Sequence, residues 1–256
     1  LIHRPHGLLL VTGPTGAGKT TNLYACLTQL NRPETKLITT EDPVEYDIQG
    51  LVQVAVNAKI ELSFATCLRA ILRHDPDVIM VGEIRDKETA QVAIQASLTG
   101  HLVFSTLHTN DAPGAVTRLL DMGLEPFLVT STVTGVLAQR LVRALCPAGR
   151  APYEATPEDL AALHVSADQL QQPLMKAVGC DACSGIGFKG RTGMYELLTM
   201  SEALRPLIIE RSSLSELRAI ACAEGMRSLR EDGIAKALAG VTTVEEIIRE
   251  TQDHEA

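Results

Sequence analysis

Four short apolar runs punctuate the first half of the chain, each ending abruptly in polar or glycine-rich residues: 8–12 (LLLVT), 37–40 (LITT), 78–81 (VIMV) and 102–106 (LVFST). Near-continuous β-branched and aliphatic runs that alternate with helix-period segments predict parallel strands buried on both faces. The pattern predicts a helix over 20–30. A second, over 64–73, places Phe64, Leu68, Ile71 and Leu72 on one side and is stopped by Asp75-Pro76-Asp77. A third is capped by Asp86, carries Ala90, Ala93, Ile94 and Ser97 on a small-residue face, and has Gly100 past its end. Residues 127–145 read as one longer helix. Cys146-Pro147-Ala148-Gly149 then opens a Pro-, Gly- and Ala-rich region, and Gly185, Gly187, Gly190 and Gly193 cluster near a short strand over 194–198. From Ser201 the pattern is helical, with short amphipathic helices over 215–223 and 243–249 and helix ends at Gly225 and Gly240. The expected fold is α/β. A core with a parallel-rich sheet covered by helices spans 1–145, a Cys/Gly-rich insert 146–190, and a C-terminal strand and helices 191–256.

Composition narrows the function. With 256 residues, 45% hydrophobic and 21% charged, the chain has enough apolar surface for one or two packed units and is not disordered. It has no Trp, four Tyr, four Phe and a net charge of −8, which oppose a base-stacking platform and non-specific nucleic-acid binding. The apolar stretch 127–146 is interrupted by Gln139, Arg140 and Arg143, so no membrane insertion is expected. The six cysteines are too few and too scattered for a disulfide scaffold, and Cys26 and Cys67 read as buried thiols. No signal peptide opens the sequence, so the expected compartment is the reducing cytoplasm.

The most specific chemistry follows the first strand. Gly13-Pro14-Thr15-Gly16-Ala17-Gly18-Lys19-Thr20 matches the phosphate-binding loop pattern of Gly, four residues, Gly-Lys-Ser/Thr, between a strand and a helix as that motif requires. Its glycines let backbone N–H groups curl round an anion at a helix N-terminus, where the dipole favours negative charge. Lys19 is then expected to reach the β- and γ-phosphates of a bound nucleotide, and the Thr20 hydroxyl to ligate Mg²⁺, with Thr21 completing the nucleotide-binding segment.

Three further strands end in reactive residues, and ligands of open α/β sheets bind beyond the strand carboxyl ends. Glu41-Asp42-Pro43-Val44-Glu45 follows the second, Gly82-Glu83-Ile84-Arg85-Asp86 the third and Leu107-His108-Thr109-Asn110-Asp111 the fourth. Glu83 suits a metal–phosphate site because Mg²⁺ takes hard oxygen ligands; a second carboxylate, Glu41, would orient and deprotonate the attacking water, or belong to a solvated acidic turn. His101 and His108 are either structural hydrogen-bonders or part of the site. Arg69 and Arg73, four apart on one helix face, either meet a γ-phosphate or pair with Asp75 and Asp77.

The blocks GPTGAGKTT, ITTEDPVEY, LRAILRHDPDVIMVGEIRD and GHLVFSTLHTND resemble, in order and spacing, the secretion and pilus-assembly ATPases of type II secretion and type IV pilus systems. The likeness runs from Arg4-Pro5-His6-Gly7 to Thr242-Thr243-Val244-Glu245-Glu246. It implies a RecA-like ATPase core acting as a homo-hexamer in the full-length protein. The motor would drive pilin or pseudopilin extrusion through inner-membrane platform proteins, peripheral to that membrane on the cytoplasmic side. Lys19 and Thr20 take the Walker A positions, Glu83 the Walker B acid near Mg²⁺, Glu41 the proposed general base, and His101 and His108 the nucleotide-sensing His box. Arg69 and Arg73 match arginines near the terminal phosphate, and Arg191 one that contacts nucleotide. An upstream domain with arginine fingers is also implied. Only twelve residues precede Gly13, so the chain is expected to be a C-terminal portion.

The cysteines depart from the family. Members usually carry two Cys-x-x-Cys pairs that bind zinc; here Cys180-Asp181-Ala182-Cys183 is intact, but the other pair is Cys146 with Gly149 at the partner position. Either Cys146, Cys180 and Cys183 form a weakened Zn²⁺ site with Asp181, His164 or water as fourth donor, or the loop is metal-free and held by its own packing; the second is preferred. Retraction ATPases of the family lack the insert, which implies the assembly and secretion side. Other readings are a retraction or DNA-translocating relative on the same core, a non-catalytic assembly subunit, and a switch GTPase. For the last, Asn57-Ala58-Lys59-Ile60 lacks the acid that guanine recognition needs.

Overall fold

A computed structural model describes residues 1–170 and 172–251. In chain order the elements are β1 (Gly7–Thr12), α1 (Lys19–Leu30), β2 (Leu37–Glu41), β3 (Val52–Ala55), α2 (Phe64–Ile71), β4 (Val78–Val81), α3 (Lys87–Leu98), β5 (Leu102–Leu107), α4 (Ala112–Asp121) and α5 (Pro126–Thr132). They continue with β6 (Val133–Leu145), β7 (Arg150–Tyr153), α6 (Pro157–Leu163), β8 (Leu174–Ala177), β9 (Phe188–Thr199), α7 (Leu204–Ile209), α8 (Leu214–Ala223), α9 (Leu229–Leu238) and α10 (Val244–Thr251). A seven-stranded sheet runs β3-β2-β4-β5-β1-β6-β9, and β7 and β8 form a separate antiparallel pair. The pairings β1–β5, β1–β6, β2–β3, β2–β4 and β4–β5 are all parallel, so the carboxyl ends of these strands share one edge.

Two compact units interleave along the sequence: residues 1–138 with 197–226, and residues 139–196 with, among the described residues, 227–251. The division falls inside β6 and β9, not at the linear boundaries expected at 145 and 190. The first unit is built on the apolar runs. All six residues of β1 are buried, and Leu9 and Val11 pack with Leu23, Tyr24 and Leu27 of α1, Leu37, Met80 and Phe104. Each such side chain removed from water contributes about 1.5–3 kcal/mol, so α1 is clamped to the sheet directly behind the glycine-rich loop.

The N-termini of α2, α3 and α4 are closed by the side chains of Ser63, Asp86 and Asp111. Gly225 and Gly240 take positive φ immediately beyond α8 and α9, as their helix-ending role requires.

The long helix expected over 127–145 is not formed. The chain is helical only to Thr132 and then extends as β6 beside β1, with Leu8 opposite Val133 and the Thr134 hydroxyl donating to the Leu8 carbonyl at 3.2 Å. An apolar run cannot be divided between helix and strand by periodicity alone, and the β-branched Val133, Thr134 and Val136 favour extension once an unpaired β1 edge is available. The contact is close: a Cβ added to Gly7 would lie 2.2 Å from the Thr134 methyl. Strand β9 begins at Phe188, well before the expected 194, and β3, β7 and β8 had no counterpart in the sequence reading.

In the second unit the carboxylate of Glu246, on α10, is 2% exposed and held by the backbone N–H and guanidinium of Arg143 and by Arg249. Burial alone would raise its pKa, but the Arg143 contacts outweigh that and hold the carboxyl below its ordinary value. Among the described residues no helix is long and apolar enough to cross a membrane.

Candidate functional site

The loop 13–20 rises from the end of β1. Gly13, Gly16 and Gly18 have φ of 145°, 79° and 85°, a sequence of positive angles that only glycine adopts without strain. Ala17 is buried beneath the crest, whereas Pro14, Thr15 and Gly16 are exposed, and a Cβ placed on Gly16 would meet nothing within 4 Å. Helix α1 starts at left-handed Gly18 with no side-chain cap, unlike α2, α3 and α4. The amides at Lys19, Thr20 and Thr21 thus lie in an uncapped first turn, the arrangement suited to an anionic ligand. The Lys19 ammonium folds back over the loop to the Gly13 and Pro14 carbonyls at 2.7 and 3.0 Å. This open cradle fits a phosphate chain.

At the end of β2, Glu41 is only 3% exposed. One carboxylate oxygen accepts from the Tyr24 hydroxyl; the other accepts from the Thr39 hydroxyl at 2.5 Å and the Gln53 amide at 3.1 Å. Tyr24 is one turn after Thr20 on α1, so the acid is tied directly to the helix that carries the loop. Burial, reinforced by the Glu41 carboxylate, pushes the Tyr24 phenol well above its usual pKa. Tyr46 stands edge-on to Tyr24, ring centroids 4.7 Å apart, and the Glu45 N–H points at the Tyr24 oxygen at 3.4 Å. The segment from Glu41 to Tyr46 is therefore organised round a residue that sequence reasoning overlooked. The available signal was a tyrosine on the loop helix in a chain with only four.

Glu83 lies two residues past β4, where Gly82 lets the backbone pass closely. A Cβ on Gly82 would sit 3.2 Å from the Thr40 carbonyl and 3.4 Å from the Glu41 Cα. One Glu83 oxygen pairs with Arg85 at 2.5 Å and the other with His108 Nε2 at 3.2 Å. Burial pushes this carboxyl up, but the charges and hydrogen bonds of Arg85 and His108 outweigh it and hold the group below the ordinary carboxylate range. Arg85 was not singled out from the sequence.

The strand exits are stitched together. The Thr106 hydroxyl donates to the Gly82 carbonyl at 2.7 Å, and the Thr12 hydroxyl, just before the loop, accepts the Thr109 N–H at 2.8 Å. Thr109 in turn donates to the Asp111 carbonyl at 3.0 Å. Asp111, buried, caps α4 through the Gly114 N–H at 2.6 Å and pairs with Arg218 of α8. That tie joins residues 107 positions apart and has no local sequence signal.

Other expected residues sit elsewhere. Arg69 pairs with Glu88 at 2.7 Å, both more than half exposed, instead of with Asp75 or Asp77. Arg73 is exposed on the 3₁₀ turn after α2. His101 precedes β5, at the sheet edge opposite the loop: its Nδ1 contacts the Ala96 carbonyl at 2.9 Å and its own carbonyl accepts the Gly7 N–H. Arg191 is exposed on β9, in the second unit. Also in that unit, Cys146, Cys180 and Cys183 converge, with Sγ–Sγ separations of 3.7 Å (Cys146–Cys180) and 3.6 Å (Cys180–Cys183). Burial raises the Cys183 thiol, but N–H groups of Cys180 and Gly187 bring it down to about 7. Among the described residues no fourth ligand of a closed structural zinc site joins the three: Asp181 and His164 lie outside the cluster.

Residues 1–249 match the family model described as type II/IV secretion system protein. The chain is 56% identical to type II secretion system protein E of Pseudomonas aeruginosa over 253 residues, 98% of this chain and 50% of that one. It is 48% identical to the type IV pilus assembly ATPase PilB of Thermus thermophilus, covering 98% of this chain and 28% of the relative. The chain thus spans about half, or less, of the length of these relatives. Among solved structures, the pilus retraction motor PilT with bound ADP superposes with a TM-score of 0.73 at 31% identity, over 99% of this chain and 64% of that one.

Proposed function

This chain belongs to the type II/IV secretion system protein family, and from that premise we propose that it is the ATP-hydrolysing portion of a motor that drives pilin or pseudopilin extrusion in a type II secretion or type IV pilus assembly machine. The observation that carries the reading is the shared edge of the parallel sheet, where an uncapped α1 and its glycine loop lie beside the Glu83–Arg85–His108 cluster and the Glu41–Tyr24 pair. Two strand spacings separate the β1 and β4 exits, about 10 Å, which is the scale of a triphosphate with its metal.

In this reading the loop amides and Lys19 bind the phosphates, the ammonium exchanging the Gly13 and Pro14 carbonyls for phosphate oxygens. Thr20 and Glu83 supply hard oxygens suited to Mg²⁺, which when bound neutralises charge on the transferred phosphoryl group. Arg85 and His108, now paired with Glu83, would be free to meet the terminal phosphate if Glu83 held the ion. Glu41 orients and deprotonates the attacking water once Tyr24 yields one of its oxygens. Arg69, Arg73 and Arg191 act at the phosphate edge only in the assembled ring, a homo-hexamer on the cytoplasmic side of the inner membrane that engages platform proteins there. The PilB and protein E likenesses support assembly or secretion, and the three-cysteine insert supports these over retraction.

Binding of a fluorescent ATP analogue with Mg²⁺ tests the site in this chain without needing the ring. Saturable binding by the wild type that Lys19→Ala weakens by roughly a hundredfold, about 2.7 kcal/mol, is expected; equal binding by both overturns the assignment of the loop.

A further inference from the structure

We propose that Gln53 is a positioning residue for hydrolysis, which ties the aim of the Glu41 carboxylate to the conformation of the segment between β2 and β3. Its role rests on the reading of Glu41 as the base that orients and deprotonates water. The placement follows from register. Gln53 lies opposite Thr39 in the parallel β2–β3 pair, and side chains two apart on a strand share a face. Thr39, Glu41 and half-buried Gln53 therefore project from one side of the sheet, where they meet Tyr24 of α1.

The two carboxylate oxygens of Glu41 are held differently. Oε2 accepts from the Tyr24 hydroxyl, and Oε1 from the Thr39 hydroxyl at 2.5 Å and the Gln53 amide at 3.1 Å. Once Tyr24 yields Oε2 to the attacking water, the donors on Oε1 keep the carboxylate aimed. Thr39 stands on the same strand as Glu41 and moves with it. Gln53 comes from β3, so its bond fixes Oε1 against a second strand.

The polarity of the Gln53 amide is set from its other end. Its carbonyl oxygen accepts the Ile48 backbone N–H at 2.7 Å, and a backbone N–H can only donate. The amino group must therefore face Glu41, where it also lies 3.3 Å from the Tyr24 oxygen and 3.3 Å from the Tyr46 carbonyl. Turned over, the amide would press its oxygen against a carboxylate and a carbonyl, and leave the Ile48 N–H facing another donor. One side chain thus grips residues 46 and 48 and aims the carboxylate with the same atoms. The segment is anchored again at Gln49, whose carbonyl accepts from the Asn31 amide at 2.7 Å. Displacing the segment between β2 and β3 therefore releases Glu41 from its aim.

Steady-state turnover beside equilibrium ATP binding, in a full-length protein that assembles, tests this with two substitutions that divide the side chain. Gln53→Glu keeps an oxygen for the Ile48 N–H but replaces the donor facing Glu41 with a second carboxylate, which repels Glu41 or shares its proton. Gln53→Leu removes both polar ends at similar volume. Each is expected to lower kcat by about 10–100-fold, the scale of a roughly 1 Å misplacement, with ATP affinity within about twofold of the wild type. Added to Glu41→Gln, either should lower kcat by less than about twofold further, because the group it aims is gone. Wild-type turnover by Gln53→Glu shows that Gln53 only anchors the segment, and overturns the proposal. A loss that multiplies with that of Glu41→Gln also overturns it, since Gln53 then acts through something else. If Gln53→Leu fails to fold, Gln53→Glu and its double variant with Glu41→Gln decide. Wild-type turnover by Glu41→Gln alone is the distinct outcome that removes the base assignment itself, and the positioning role with it.

Discussion

The exits of β2 and β4 are neighbours, and each delivers a glutamate, yet the two are held in opposite ways. Glu41 is buried among neutral donors, the Tyr24 and Thr39 hydroxyls and the Gln53 amide. Glu83, with 15% of its side chain exposed, is held by a guanidinium and an imidazole. Neutral donors fix where a carboxylate points; cationic partners also hold it ionised, and their own charge is released when a stronger cation displaces them. Under the proposed function, the contrast suits Glu83 to charge exchange around a metal and Glu41 to orientation of a nucleophile.

Four perturbations, in falling order of expected effect, test that contrast. In a full-length protein that assembles, Glu83→Gln should bind ATP but lower turnover by about 10³–10⁴, since it removes charge from the reacting centre. Glu41→Gln, which keeps most of the neutral hydrogen-bonding shell, should lower turnover by about 10²–10³ with nucleotide affinity unchanged. Steady-state kinetics beside equilibrium binding separates the two, and equal losses from both variants would show that the carboxylates act as one unit. Tyr24→Phe removes one neutral donor, so denaturant unfolding should register about 1–2 kcal/mol of destabilisation, with turnover changed less than tenfold. A larger kinetic than thermodynamic effect would give the phenol a part in proton transfer.

The smallest effect is a pH dependence confined to Glu83. Its folded-state pKa is depressed, so its contribution to stability is complete above the unfolded-state value of about 4.3 and is lost as pH falls through the lower folded value. Arg85→Ala removes a main cause of that depression, so less stability depends on the ionised carboxylate. Denaturation midpoints measured between about pH 6 and pH 3 should therefore start lower in Arg85→Ala and fall less steeply with acid than in the wild type. Superimposable profiles would mean that the ion pair does not couple to folding.

The elements most legible in the sequence have a purely local cause. Glycines at 13, 16 and 18 are needed because the chain turns there through positive φ, and Asp86 caps α3 because its side chain reaches an amide three residues on, the Thr89 N–H at 2.8 Å. The apolar runs at β1, β2, β4 and β5 lie where the pattern put them for the same reason: a strand covered on both faces must be apolar throughout. Elsewhere local pattern was insufficient. The stretch after Thr132 suits either helix or strand until β1 offers an edge. Arg69 had plausible partners nearby in Asp75 and Asp77, but the packing of α2 against α3 brings Glu88 within reach.

The sequence by itself determined the phosphate-type loop, the parallel α/β core and the acidic residues at the strand exits, because each depends on backbone sterics or burial of contiguous residues. Only the tertiary structure decided that Tyr24 grips Glu41, that Arg85 and His108 share Glu83, that His101 faces the far edge, and that three thiols converge. Those outcomes depend on which side chains distant in sequence arrive at the same place, and one-dimensional spacing does not encode the distances between elements that packing sets.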